Sequence, residues 1–173
     1  MGKIIIVGAN GSIGKASAQI LRSQNRDIEI LSRNKDELNV NALELNCSSQ
    51  AIDISDHSHV DKYIQQIDFD IEGIIFAVGS IMLKPFEKTT MSEFELTYNQ
   101  NFLNPIYFTQ QAITKMSNSS SVVYFSTVAA KSGFKLHTAI ASAKSALMGA
   151  MISLSAEYAP KIRFNCISPS LTN

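Results

Sequence analysis

Short runs of β-branched residues alternate with segments of helical period along the whole chain, and that alternation leaves few architectures open. Residues 4–7, 28–31, 51–54, 74–78, 122–125 and 162–167 read as six strands. Most are continuous apolar runs, the pattern of strands covered on both faces in a parallel sheet. Helices are expected near residues 13–23, 60–67, 91–116 and 139–158. In the last of these, Ile140, Ala143, Leu147, Met151, Leu154 and Tyr158 recur at steps of three and four, and Pro160 stops the helix. Pro105 offers a place for the preceding helix to kink. Ser and Asn crowd residues 34–50 and 117–121, which read as loops. Repeated strand–helix–strand units predict a doubly wound parallel α/β sheet with right-handed crossovers, one domain over residues 1–173.

Composition removes several classes of function. Fifteen basic and fifteen acidic side chains balance to zero, so no electrostatic footprint for nucleic acid or an acidic membrane surface is present. With 45% hydrophobic residues and no net charge, the chain is not a disordered one. No stretch approaches the roughly 18 uninterrupted apolar residues of a membrane span. Lys3 is followed only by the short apolar run Ile4 to Val7, and Ile6 stands where myristoylation needs Ser or Thr. Cys47 and Cys166 have neither metal-ligand nor redox spacing. Two buried reduced thiols, no metal site and a cytoplasmic location are the expectation.

The first strand runs directly into Gly8-Ala9-Asn10-Gly11-Ser12-Ile13-Gly14 and then a helix. Glycines at such a junction let the backbone turn tightly and approach a pyrophosphate, while the helix N-terminus offers amides and partial positive charge. A glycine triplet alone is a weak signal, but its place at the first strand–helix junction of an alternating chain sharpens it to a Rossmann-type dinucleotide loop. About 20 residues further on, such a site reads the adenosine ribose, where an acidic side chain marks NAD. Ser32 and Arg33 stand there instead, a hydroxyl and a cation suited to a 2′-phosphate, so NADP(H) is favoured over NAD(H). Taken alone, Arg33 is also readable as an ordinary solvated charge.

These residues resemble the short-chain dehydrogenase/reductase family from residue 3 to the end. The loop is similar to the family's TGxxxGxG, with Val7 for Thr and Ser12 for the middle Gly. By resemblance Asp53 and Ile54 frame the adenine, and Ala77, Val78 and Gly79 stand where the family writes NNAG, with only the glycine kept. Asn101 matches the family's active-site helix asparagine. Ser126 and Thr127 align with its catalytic serine, Thr127 having the usual spacing, and a hydroxyl there hydrogen-bonds a substrate carbonyl. Lys144 matches the lysine that holds the nicotinamide ribose. The stretch through Pro169 to Thr172 is similar to the PG-motif that contacts the carboxamide, with Ser170 for Gly.

One position departs. Where the family's YxxxK places its tyrosine, this chain has Ile140, and the enoyl-reductase position seven residues before the lysine holds His137. The tyrosine is the family's general acid, a role commonly worth ~10²–10⁴-fold in rate. His137 or a bound water could supply the proton, since imidazole titrates near neutrality. An unreactive loop histidine is the alternative. The resemblance thus implies an NADP-dependent oxidoreductase acting on a small carbonyl or alcohol substrate, or a cofactor-binding protein that has lost catalysis. It also implies a homodimer or homotetramer built on the helices carrying Asn101 and Lys144. Family members usually continue with a substrate-covering helix pair and a seventh strand, which these 173 residues do not include.

Overall fold

The computed structural model describes residues 2–170. Six strands form one all-parallel sheet in the order β3-β2-β1-β4-β5-β6. They are β1 (Lys3–Val7), β2 (Ile28–Ser32), β3 (Ser48–Ala51), β4 (Ile71–Phe76), β5 (Met116–Phe125) and β6 (Ile162–Ile167). The long helices are α1 (Ser12–Ser23), α2 (Lys35–Leu45), α3 (His57–Gln66), α4 (Met91–Tyr98) and α5 (Asn104–Ala112). A four-residue helix, α6 (Ala129–Ser132), precedes α7 (Thr138–Tyr158).

The apolar run of β1 serves both faces of the sheet. Ile5 and Val7 enter a core with Phe76, Phe108 and Leu147, whereas Ile4 and Ile6 enter a second with Ile30 and Leu38. Side chains two apart share a face, so a strand buried on both sides must be apolar at every position. From β1 the chain winds outward through β2 and β3, then returns to β4 on β1's other side and winds away through β5 and β6. The order reverses between β1 and β4, and a crevice opens at their carboxyl ends.

Four expectations need correction. Residues 35–45, read within a loop, form α2: the Asn34 side chain accepts the Glu37 amide, Asn46 closes the helix in the left-handed region at φ 48°, and Leu38 and Ala42 are buried one turn apart. Polar residues at its caps disguised a helix as a loop. The third strand lies at Ser48–Ala51 instead of 51–54, because an edge strand with two exposed residues needs no apolar run. β5 begins at Met116, so residues 117–121 lie within a strand, with Ser120 opposite Ile162 and Ser121 opposite Arg163.

The helix expected over residues 91–116 is interrupted. Between α4 and α5 the turn Asn99–Leu103 widens to π-helical bonding, and Ile113–Lys115 tightens to a 3₁₀ turn. Pro105, in the first turn of α5, has no N–H to donate backward, which suits a position just past a bulged turn. α7 has the length and apolar composition of a membrane span. However, Ala143, Lys144 and Leu147 on one of its faces are buried in the fold.

Candidate active site

The crevice between β1 and β4 is a cleft of about 330 Å³. Gly8 and Gly11 form one wall. At Gly8 the backbone turns at φ 89°, and a Cβ there would lie 2.6 Å from the Ala77 carbonyl, so no other residue fits this turn without displacement. The Gly8 amide donates to the Leu31 carbonyl at 2.8 Å and the Gly11 amide to the Gly8 carbonyl at 3.1 Å, which fixes the loop. Gly11 is the N-cap of α1 and has no side chain to occupy the first-turn amides. Ser12 and Ile13 are at the solvent-facing start of that turn, and Gly14 is buried within it. Asn10 braces the loop from behind. Its Nδ2 donates to the Asn34 carbonyl at 3.2 Å and to Glu37 Oε2 at 3.1 Å, and its Oδ1 accepts from Asn41 at 3.1 Å.

Ser32 and Arg33, at the end of β2, line the same cleft, as do Asp53 and Ile54 beyond β3 and the stretch Ala77, Val78 and Gly79 beyond β4. Burial works against ionisation of Asp53, but Oδ1 accepts from the Ser55 amide at 3.0 Å and the Ser55 hydroxyl at 2.7 Å. With Arg33 nearby, these bonds hold its carboxyl below the ordinary aspartate range. Ser55, Ser80, Gln100 and Asn104 also line the cleft and were not anticipated from the sequence. Gln100 and Asn104 are four apart, a helical spacing that was available to find them once Asn101 was placed.

Two of the catalytic candidates, Asn101 and Lys144, meet beside Gly79, whereas Ser126, Thr127 and His137 are not among the residues that line the cleft. Asn101 lies in the π turn with no exposed surface. Its Nδ2 donates to the carbonyls of Thr97 at 3.0 Å and Ser80 at 3.1 Å. A Cβ on Gly79 would fall 2.6 Å from Asn101 Oδ1 and 3.4 Å from Lys144 Nζ, so the glycine lets both side chains pack against a residue that lines the cleft. Lys144 is only 7% exposed, and burial pushes its ammonium pKa down to about 8. Among the described residues no carboxylate pairs with it.

Ser126 is buried and donates its hydroxyl to the Lys144 backbone carbonyl at 3.3 Å. Thr127 Oγ1 accepts the Ala129 amide at 3.2 Å, which leaves its own proton to give. His137 stands at the N-terminus of α7, with Nδ1 2.7 Å from the Lys135 carbonyl and its ring edge-on to Phe134. Seven residues separate it from Lys144, or ~10 Å along the helix axis. Pro169 accepts the Val128 amide at 3.1 Å, tying the end of β6 to the segment after β5. Thr172 lies outside the described residues.

The model of the short chain dehydrogenase family matches residues 3–173. The chain belongs to that family. Among curated short-chain dehydrogenase relatives, a chloroplastic tropinone reductase homolog of Arabidopsis thaliana is 25% identical, covering 95% of this chain and 55% of the relative. The 3-ketodihydrosphingosine reductase of Mus musculus is 26% identical, covering 91% of this chain and 52% of the relative. The chain therefore spans about half the length of these relatives. In fold it is similar to a short-chain dehydrogenase/reductase (glucose/ribitol dehydrogenase) from Brucella melitensis, with TM-score 0.92 at 23% identity over 98% of this chain and 72% of the other. It is similar also to serine dehydrogenase from Escherichia coli, with TM-score 0.91 at 15% identity over 98% and 82% of the two chains.

Short chain dehydrogenases as a family work with a nicotinamide cofactor. The residues present fit such a group: side-chain-free Gly11 faces the cleft at a helix N-terminus, and the buried Lys144, with no carboxylate partner among the described residues, packs against cleft-lining Gly79.

Proposed function

We propose that this chain binds NADP(H) and reduces a small carbonyl substrate to an alcohol, or runs the reverse reaction. The observation that carries the reading is the meeting of Asn101 and Lys144 at Gly79, the end of a cleft that begins at the glycine loop. Lys144 would serve nucleotide binding alone, but a protein that only bound a nucleotide would have no need of the asparagine beside it. When bound, the cofactor supplies or accepts the hydride.

The chain's own residues do the rest. Amides of Gly11, Ser12 and Ile13 hold the diphosphate, and Ser32 and Arg33 take the 2′-phosphate. Asp53 and Ile54 bound the adenine pocket, while Lys144 holds the ribose next to the nicotinamide and Thr127 orients the substrate carbonyl with its free hydroxyl proton. Reduction as the direction is supported by the names of the two relatives, both called reductases or their homologs. A homodimer or homotetramer through α4, α5 and α7 is supported by exposed Met91, Leu103 and Ile152 on those helices and the π turn between them.

The test is in two parts. NADPH and NADH are titrated by fluorescence, then ketones, diketones and quinones are screened for loss of NADPH absorbance. Binding with turnover on at least one carbonyl is expected. Confirmed binding with no turnover across the panel would refute the reductase reading.

A further inference from the structure

We propose that Lys144 is itself the proton donor of this site, giving its proton directly to the substrate oxygen; this rests on the reductase reading above. The proposal comes from which groups near Gly79 have a proton free to give. Ile140, one turn before Lys144 and 5% exposed, presents only hydrocarbon to the site. Ser126 has one hydroxyl proton, and it is committed to the Lys144 carbonyl. Thr127 has a free proton, but an alkyl hydroxyl is far too weak an acid to deliver it outright. Tyr124 is buried against Thr109 in the core. His137 is two turns away along α7, with one ring nitrogen on Lys135.

Lys144 has none of these restrictions. Its Nζ lies where a side chain on Gly79, a residue lining the cleft, would touch it, and no carboxylate fixes its protons among the described residues. The elements packed on α7 bring little charge to it. From β6 the only ionisable neighbour is the Cys166 thiol, itself pushed up by burial, and from the π turn and α4 come the neutral side chains of Asn101 and Thr97. Lys131 of α6 bears on Cys166. An ammonium buried among neutral groups releases its proton near neutral pH, the range in which a general acid works best.

As hydride reaches the carbonyl carbon, the C=O π pair collapses onto oxygen, and an N–H bond of the ammonium breaks as the O–H bond forms. Lys144 is left as a neutral amine and takes its next proton from water at the cleft mouth. The two electrons come from the reduced nicotinamide.

Two measurements on the full chain test this. In the first, lysine side chains labelled with ¹⁵N are titrated by NMR without cofactor, with Lys144→Arg assigning the signal. One Nζ titrating near pH 8 is expected. Titration of Lys144 above 10 would overturn the donor role while leaving the reductase reading intact. In the second, kcat for carbonyl reduction is followed against pH. It is expected to fall as pH rises past the value at which Lys144 loses its proton in the substrate-bound enzyme. Lys144→Arg, which keeps the charge and holds its proton, is expected to bind NADPH within several-fold yet lose ~10²–10⁴ in kcat. Adding Ile140→Tyr to that variant is expected to restore part of the rate with a displaced pH limb. A Lys144→Arg enzyme that keeps both rate and limb overturns the proposal alone. A wild-type chain that binds NADPH but reduces nothing overturns the reductase reading and this proposal together.

Discussion

Asn101 grips the backbone of Ser80 with both halves of its amide: Oδ1 accepts the Ser80 N–H at 3.3 Å, and Nδ2 donates to the Ser80 carbonyl at 3.1 Å. The two residues are twenty-one apart in sequence, so this one side chain locks the segment after β4 onto the π turn. A buried amide with all three bonds made rigidifies what it touches, and leaving its partners unsatisfied is costly.

Replacing Asn101 with Ala is therefore expected to cost about 1–3 kcal/mol for the polar backbone groups left without partners. Urea denaturation measures it through the midpoint. The same variant is expected to bind NADPH more weakly, because Gly79 and Ser80 both line the cleft. An unchanged midpoint together with unchanged affinity would show that the grip is incidental.

Arg33 is exposed at the cleft edge, with the carboxylate of Asp53 near enough to feel its charge. If its work is on the 2′-phosphate, Arg33→Ala removes charge-assisted bonds worth about 1.5–3 kcal/mol. That corresponds to roughly 10- to 150-fold in NADPH affinity. NADH affinity is expected to change little. Paired titrations decide it, and equal losses for both nucleotides would rule out a 2′-phosphate role.

Much of this architecture was legible in the sequence, for identifiable reasons. The β1 run and the glycine loop are local signals: the strand is apolar at each position because both faces are covered, and Gly8 is required by its own φ. What escaped is decided at a distance. β3 is polar because it lies at the sheet edge, and Ser120 and Ser121 belong to β5 because β6 lies alongside, neither of which a single segment reveals. Likewise Ser80 becomes part of the site only through Asn101, and Ser126 donates its hydroxyl hydrogen bond to a carbonyl eighteen residues away. Ile140 was legible at once, yet its consequence for Lys144 needed the burial and pairing of every neighbouring group.

Glu29 gives a pH dependence unrelated to the active site. It is 8% exposed on β2, and burial raises its pKa despite Lys3 Nζ at 3.9 Å from Oε2. A carboxyl whose folded pKa lies above its unfolded value keeps its proton longer in the folded state. Its contribution to stability is then fullest below about pH 4.5 and declines as pH rises through the folded value. Glu29→Gln, which cannot ionise, is expected to gain stability relative to wild type as pH rises from 4 toward 7. Denaturation midpoints of both proteins across that range test the sign, and parallel curves would contradict it.

Thr109 and Tyr124 share a buried bond whose direction follows from proton counting. Their hydroxyl oxygens are 2.7 Å apart, and Thr109 Oγ1 also lies 2.8 Å from the Pro105 carbonyl, which can only accept. The single Thr109 proton goes to that carbonyl, so Tyr124 must be the donor between the two hydroxyls. The two truncations should then be unequal. Tyr124→Phe removes a donor and leaves Thr109 with its proton still placed, at a cost of about 0.5–1.5 kcal/mol. Thr109→Val, nearly the same in shape, leaves the Tyr124 hydroxyl proton buried without an acceptor and is expected to cost about 1–3 kcal/mol. In the double variant the orphaned donor is gone, so its loss should be smaller than the sum of the two single losses. Urea unfolding of the four proteins gives the cycle, and a Tyr124→Phe loss exceeding that of Thr109→Val would reverse the assigned direction.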